Sequence, residues 1–405
     1  MKRFDVIIIG GCASGLVAAI NAHRLYPEMS IAVVEKLPRT GKKILATGNG
    51  RCNLTNINTR CGCYTNGGFA KTALEKYSVE KSLEFFSSLG LKTYTDSEGR
   101  VYPTSNTAAS VVDALRFNLD GIEVITGEAV TDVKKQDGGF VLNNEYRCNY
   151  LITATGGKAS PSQGSDGSGY ALAKALGHTV TNLYPALVPL TADPAVTKPL
   201  KGVRIHNAVI TLEKNGKSIC PARGEILFTD SGISGIAAME LAASLERIKE
   251  KGADIFAVID LAPDMSREEI IEYLTVLRKE NRRDFDSLLT GIIPKAAGIA
   301  VLKKSGVKST ISGFSENEIK IISEHIKQFR IKVTGTKGFD CAQVTSGGVR
   351  TDEINNETME SLICENLFFA GEIIDVDGIC CGGFNLQWAW SSGLTAGELG
   401  GKAQC

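Results

Sequence analysis

The chain has 405 residues, 43% hydrophobic and 22% charged, a composition that fits a soluble globular protein of roughly two to three domains and excludes a disordered tail. Its 45 basic and 45 acidic residues give a formal charge of zero, so neither nucleic acid nor a membrane surface is expected as a partner. The 11 cysteines include a C-x-C at Cys61 and Cys63 and an adjacent pair at Cys380 and Cys381, but no paired C-x-x-C spacing, which predicts no metal site and reduced thiols in a cytoplasm. The N-terminal apolar run, residues 6–9, is too short for a signal-peptide core or a membrane span, in line with a cytoplasmic protein.

Residues 4–36 read as strand, glycine turn, helix and second strand, the smallest unit that holds an ADP moiety. The strand 6–9 runs into Gly10 and Gly11, and a helix after Gly15 carries Leu16, Ala19, Ile20 and His23 on one stripe. The turn through Cys12, Ala13 and Ser14 aims backbone N–H groups and the helix's partial positive charge at a pyrophosphate. The returning strand 31–34 ends at Glu35, twenty positions after Gly15, where a carboxylate accepts both hydroxyls of an unphosphorylated ribose and favours FAD or NAD over NADP. Cys12 stands where G-x-G-x-x-G has its second glycine. It reads either as a small residue tolerated in a slightly widened turn or as a redox-sensitive thiol beside the cofactor.

Residues 41–56 form a basic, Gly- and Asn-rich segment without helical or strand period, and a long irregular loop within a domain is usually functional. Lys42, Lys43 and Arg51 can meet phosphate or the negative charge of a reduced flavin, and Asn53, Thr55 and Asn56 offer hydrogen-bonding edges. Residues 78–90 predict a helix ending at Gly90, 101–115 a turn and a helix, and 123–126 and 129–133 short strands. The strand 150–154 runs into Thr155, Gly156 and Gly157, a second close approach of backbone to ligand, before the loop 160–169 and the helix 170–176.

From Pro185 the composition shifts. Runs 187–190, 208–213, 217–221 and 226–228 predict a small antiparallel sheet or barrel with a hairpin at Asn215-Gly216, followed by a helix over 233–251 and a strand over 255–261. Several helices follow to about residue 326, the first with Ser266 capping toward Glu269, and a strand over 329–334 closes the insertion. The expected division is therefore an FAD-binding domain over 1–186 and 338–405, a β-barrel substrate domain over 187–261 and 327–337, and a helical domain over 262–326. The strand 367–370 leads through Gly371, Glu372, Asp375, Asp377 and Gly378 to Gly382, Gly383, Phe384 and Asn385, which open a helix to about residue 399. Its N-terminal dipole suits the charge that develops at the N1 and C2 carbonyl side of a flavin on reduction, while Trp388 and Trp390 read first as packing residues.

On these segments the chain resembles the YhiN/BaiN-type family of FAD-dependent oxidoreductases. The motifs are GGCASGL at 10–16, GRCNLTN within the 41–56 loop, LFTDSGISG at 227–235, VTSGGVRT at 344–351 and GEIIDVDGICCGGFNLQWAWSSG at 371–393. The resemblance implies an α/β fold, a Rossmann-like FAD domain of the glutathione-reductase type interrupted by a β-barrel and a helical domain. It implies FAD contacts at Ser14, Glu35, Lys36, Lys42, Val130, Glu372, Asn385 and Leu386. The chain departs from the family pattern at Cys12, where a glycine is usual, and at Cys380 and Cys381, where a single spacer is usual.

Two chemistries are linked to that family, reduction of conjugated C=C bonds in oxo bile acids and oxidation of small amines. We expect hydride transfer from NAD(P)H through FAD to the C=C bond of an oxo-steroid or oxo bile acid, with an oxygen-using amine oxidase or a non-catalytic flavin-binding module as alternatives. No second strand, G-x-G-x-x-G and helix follows the first unit, so a nicotinamide is expected to reach the flavin directly in the cleft under the inserted domain, the rival being electron delivery by a partner protein. No His lies in the flavin motifs, and His23, His178, His206 and His325 read as helix, turn or surface residues, so the sequence names no catalytic acid; it does not specify an oligomeric state either.

Overall fold

The computed structural model describes residues 1–250, 252–280, 284–307 and 313–402. The chain divides into two compact units, Met1–Tyr184 with Gln343–Cys405, and Pro185–Ala342.

The first unit is built on a parallel sheet in the order Ile122–Thr126, Ile31–Glu35, Lys2–Ile9, Tyr146–Thr153. Tyr146–Thr153 is long enough to have two neighbours on its other side. Leu367–Phe369 pairs in parallel with its C-terminal half, while the hairpin Val133–Gln136 and Gly139–Leu142 pairs antiparallel with its N-terminal half. That hairpin turns at Asp137 and Gly138, both at positive φ, a signal the sequence reading passed over. The expected strand 129–133 exists only at its last residue; Val130 is a buried residue in an otherwise largely exposed irregular stretch, which the N–H of Glu128 ties to the carbonyl of Glu35.

The helix Phe384–Gly397 is buried nearly all round and crosses Ala13–Leu25 closely. A Cβ at Gly393 would lie 2.5 Å from the carbonyl oxygen of Ser14, and one at Gly397 2.6 Å from that of Ala18, so two glycines one turn apart set the approach. Trp388 and Trp390 are fully buried and donate their indole N–H groups to the carbonyls of Gly371 and Leu54, at 3.2 and 2.8 Å, which makes them packing residues. The 41–56 segment is more regular than expected: Lys42–Leu45 is a helical turn, and Thr55–Asn56 pairs with Arg100–Pro103.

The second unit holds a closed barrel in the order Leu190–Ala192, Gly232–Ser234, Lys217–Thr229, Arg204–Lys214, Ile255–Asp260, Phe329–Thr336. The helices Arg267–Glu280, Lys295–Ser305 and Glu316–Lys327 belong to the same unit. Asn215 and Gly216 both have positive φ, as a type I′ hairpin turn requires. Ser266 accepts the N–H of Glu269 and Glu269 that of Ser266, at 3.1 and 2.7 Å, the anticipated reciprocal cap.

Three expectations fail here. The runs 217–221 and 226–228 are one strand, because Pro221 faces Arg204–Lys214 on one side and the strand meets Gly232–Ser234 only from Leu227 onward, leaving an edge where a missing N–H costs nothing. Strand Leu190–Ala192 starts three residues later than expected, after Leu187 at positive φ. Ile233 belongs to a barrel strand, and helix appears only as Ile236–Glu240 and Ala242–Ile248; the expected end at Lys251 lies outside the described residues.

Candidate active site

Four strand ends of the parallel sheet converge on one edge. Gly10 and Gly11 follow Lys2–Ile9, Glu35 ends Ile31–Glu35, Thr155 to Gly157 follow Tyr146–Thr153, and Gly371 and Glu372 follow Leu367–Phe369. In open α/β sheets this carboxyl edge is where ligands bind. Gly10 has φ 107°, and a Cβ at Gly15 would fall inside contact distance of the Gly10 carbonyl oxygen, so the helix can begin directly over the strand end only without a side chain at residue 15. That helix starts at Ala13 after Cys12, which makes no side-chain cap, so the turn's donors are left for a ligand.

Glu35 is 7% exposed, and its carboxylate accepts the N–H of Gly11 at 2.7 Å and that of Leu37 at 2.8 Å. The side chain expected to hold ribose thus also holds the phosphate turn in shape. Burial, with Glu35 adding to it, pushes the Cys12 thiol up although the N–H groups of Ala13, Ile44 and Lys43 pull it down. Cys12 therefore stays protonated at neutral pH, which favours the tolerated small residue over the redox-sensitive thiol.

On the other half of the site Lys43 pairs with Glu372 at 2.7 Å, and the second oxygen of Glu372 accepts the N–H of Thr345 at 2.8 Å. Thr345 in turn accepts the N–H groups of Lys158 and Ala159 at 2.7 and 2.9 Å, and a Cβ at Gly157 would lie 2.7 Å from Glu372. Lys42 donates to the carbonyl of Ser162 at 2.8 Å, and Arg51 lies 4.5 Å over the ring of Tyr102. Lys36 pairs with Asp166 at 2.6 Å; burial alone would raise Asp166, but Lys36 and Ser168 hold it down to about 2. Each cation expected to meet phosphate or flavin thus has a protein contact. Asn53 lies half-buried in the same loop.

The last helix begins after Gly382 and Gly383, at φ 116° and 104°, again without a side-chain cap. A Cβ at Gly383 would lie 2.6 Å from the carbonyl of Thr55, and Asn385 bends back to accept the N–H of Gly378 at 2.9 Å. Phe384 is buried, Leu386 half-buried, and Ser14 donates to the carbonyl of Ala370 at 3.2 Å, linking the first turn to this segment. The hydroxyls of Thr55 and Thr155 are buried without a protein partner. Two uncapped helix starts, glycine approaches and these two hydroxyls fit a pyrophosphate-bridged flavin nucleotide, so the residues present suit FAD.

Sequence reasoning missed Thr345 and the role of Asp377, which is buried and accepts hydroxyls from Thr65 and Ser346 at 2.7 and 2.9 Å. Both lie inside quoted motifs, but nothing in VTSGG or DVDG says which residue turns inward. His178, expected at a turn or the surface, is buried, with Nδ1 at 3.1 Å from Glu353 and Nε2 at 2.8 Å from Ser361. The geometry is that of a hydrolytic triad, but Ser361 Oγ also accepts the N–H groups of Ile363 and Cys364, at 3.0 and 2.7 Å, so it serves as a turn anchor. Burial pushes the His178 imidazole down against the pull of Glu353. As pH falls below about 6.5 the unfolded chain takes up a proton that the folded one refuses, so stability drops toward the lower folded value. Wild-type melting temperature should accordingly fall more steeply between about pH 7 and 5.5 than that of His178→Gln, and parallel curves would clear His178 of this role.

The chain matches the HI0933-like protein Rossmann domain family over residues 4–399. It belongs to that family. It is 38% identical over 404 residues to the 3-dehydro-bile acid delta(4,6)-reductase of Clostridium scindens, covering 96% of this chain and 97% of that protein. It is 30% identical over 407 residues to the ribosomal RNA dihydrouridine synthase of Escherichia coli, covering 97% and 96%. Among solved structures, 3-ketosteroid delta1-dehydrogenase from Sterolibacterium denitrificans aligns with a TM-score of 0.51 at 12% identity, over 99% of this chain and 100% of that one. A flavocytochrome c3 fumarate reductase aligns at 0.50 and 15% identity, over 99% and 78%. At such identities both likenesses speak for the fold alone. The family member described here is an FAD-dependent oxidoreductase, as the motifs implied. The expected absence of a nucleic-acid partner loses its support, since charge balance does not outweigh relatives named as RNA-modifying enzymes. Among the described residues no helix is long and apolar enough to cross a membrane.

Proposed function

We propose that this oxidoreductase reduces a C=C bond conjugated to a carbonyl in a small steroid-like molecule, with NADH or NADPH as the source of hydride. The observation that carries the reading is the 38% identity, over nearly the whole of both chains, to a relative named as a bile-acid delta(4,6)-reductase. FAD bound at this site would supply the chemistry of accepting a hydride and passing it to the electron-poor carbon of the alkene. The chain's own residues bind and orient. The N–H groups around Cys12 to Gly15 would hold the pyrophosphate; Glu35 fixes that turn and would offer its remaining lone pairs to ribose; the uncapped start of the Phe384–Gly397 helix would favour negative charge on a reduced flavin. The Lys43–Glu372 pair is half-buried and holds Thr345 and the 155–157 turn in register.

Because the sequence carries one dinucleotide fingerprint, nicotinamide and organic substrate use the flavin in turn, which predicts ping-pong kinetics. Anaerobic mixing with NADH or NADPH should bleach the flavin band on a catalytic timescale, and a 3-oxo-4-ene steroid should then restore it faster than oxygen does. An unchanged spectrum with both nucleotides would reject direct hydride delivery. Faster recovery with oxygen would point to the oxidase alternative.

A second reading has a specific observation behind it. Two relatives, from Escherichia coli and Haemophilus influenzae, are named ribosomal RNA dihydrouridine synthases, each 30% identical to this chain. The uracil 5,6 double bond is likewise conjugated to a carbonyl, so the same addition of hydride and proton would serve. The zero formal charge gives this chain no overall basic footprint for phosphate, which is why the small-molecule reading comes first. Reoxidation by unmodified ribosomal RNA, and not by the steroid, would reverse the order.

A further inference from the structure

The first unit also holds a short sheet of Thr55–Asn56, Arg100–Pro103 and Thr93–Thr95, and one of its faces meets the loop that opens the last helix. Asn56 and Arg100 are direct partners in it, so their side chains share a face, and Tyr102, two residues after Arg100, belongs to the same face. A Cβ at Gly382 would lie 3.6 Å from the amide nitrogen of Asn56 and 3.6 Å from Cγ of Arg100, and Asn56 donates to the carbonyl of Gly382 at 3.3 Å. Arg51 lays its guanidinium 4.5 Å over the ring of Tyr102. That ring is 2% exposed and packs against Tyr94 with 5.9 Å between centroids, so it is a fixed shelf under the cation.

Arg51 differs from the cations around it in what answers its charge. Lys36 and Lys43 are paired with Asp166 and Glu372, and Arg100 is held by Asp96 and Glu98 at 2.8 and 2.7 Å. Among the described residues no carboxylate is paired with Arg51; its side chain reaches the neutral hydroxyl of Tyr102 at 3.5 Å, which leaves most of the guanidinium's donors open. Arg51 is itself exposed. Ile57 and Ile379, 56% and 45% exposed, are large apolar side chains left uncovered on the two segments that meet at Gly382. An unanswered cation on a rigid shelf, beside uncovered apolar surface, suits a ligand that is apolar in its body and gains negative charge at one oxygen.

We propose that Arg51, shelved on Tyr102, takes the carbonyl oxygen of the conjugated ketone and stabilises the negative charge that oxygen gains on reduction. The assignment rests on the reduction proposed above. As hydride adds to the β carbon, the C=C pair shifts to join the α carbon to the carbonyl carbon, and the C=O pair moves onto oxygen. The enolate oxygen then pairs with the guanidinium until a proton from water reaches the α carbon and the C=O bond re-forms. Arg51 orients and stabilises throughout and gives up no proton, since a guanidinium stays charged over the working pH range. It thereby leaves the set of cofactor contacts expected from sequence and becomes a substrate contact.

The test uses the full chain with FAD bound. Binding of 4-nitrophenol, followed by the visible absorption of its ionised form, reports on charge at the oxygen without turnover. Wild type should prefer the phenolate to the phenol by about tenfold or more, Arg51→Gln should show no preference, and Arg51→Lys should keep part of it. After anaerobic reduction with dithionite, reoxidation by a 3-oxo-4-ene steroid should be slower by about tenfold or more in Arg51→Gln, while reoxidation by oxygen and affinity for FAD stay as in wild type. Weaker FAD binding in Arg51→Gln would return the residue to the cofactor. An equal phenolate preference, or equal reoxidation by the steroid, in Arg51→Gln and wild type would also overturn the assignment. If no conjugated ketone reoxidises the wild type, the proposed reduction falls by itself, and the phenolate preference alone decides whether Arg51 holds an anionic oxygen.

Discussion

Glu35→Ala protein is expected to purify without flavin and to be destabilised even as apoprotein. The carboxylate lies in a buried site and receives the N–H groups of Gly11 and Leu37, at 2.7 and 2.8 Å, so its removal leaves one buried and one half-buried donor unpaired. The buried donor costs about 1–3 kcal/mol and the half-buried one less, and the loss falls on the turn proposed to hold pyrophosphate. Binding is then expected to suffer twice, from a disordered turn and from the loss of the proposed ribose acceptor. Glu35→Gln keeps one acceptor and should be intermediate. The control is Glu316→Ala, on an exposed first turn of a helix in the other unit, where a change within about 0.5 kcal/mol is expected. Thermal melts with and without added FAD, read beside the flavin absorbance of the purified proteins, compare the three. If Glu35→Ala kept its flavin as well as Glu316→Ala does, Glu35 would leave the site.

Gly15→Ala should have a comparable effect by a different route. A Cβ at residue 15 would overlap the carbonyl oxygen of Gly10, and the obstacle is backbone just past the buried end of a strand, so no side-chain rotation relieves it. The helix must lift away from the strand end, at about 1–3 kcal/mol or more for overpacking, and the lift carries its N–H groups away from the ligand. Gly68→Ala is the matched control. It lies in the first turn of Gly67–Lys76 with nothing within 4 Å of its would-be Cβ, and alanine there should stabilise by up to about 1 kcal/mol. Urea unfolding and flavin content would separate the two, and equal flavin content would contradict the packing argument.

How much of this was legible depended on whether the signal was local. The first strand, turn and helix were readable because glycines, apolar run and terminal Glu35 lie within 36 residues, and Asn215-Gly216 was readable because its turn type demands those residues. The run 233–251 misled because Ile233 looks helical in sequence but fills a barrel position against Leu190 and Phe228, a long-range pairing that no local pattern records. In the site, the glycines and Glu372 could be named from sequence, whereas the Lys43–Glu372 pair spans 329 positions and the Thr345 contacts arise only once the sheet has formed. The charges of Lys36, Lys42 and Lys43 were visible; that protein groups already engage them was not.

The interlocking of the chain's two ends also fixes an order of assembly. Leu367–Phe369 completes the sheet beside Tyr146–Thr153, and Gly393 and Gly397 seat the helix Phe384–Gly397 on Ala13–Leu25, so the half proposed to hold the nucleotide stays unfinished until residues 367–397 have left the ribosome. The intervening unit, Pro185–Ala342, emerges whole before them and is free to fold first. A nascent chain stalled between the two stages would present an open apolar sheet edge at Leu151 to Thr153, a surface suited to chaperone capture or to aggregation.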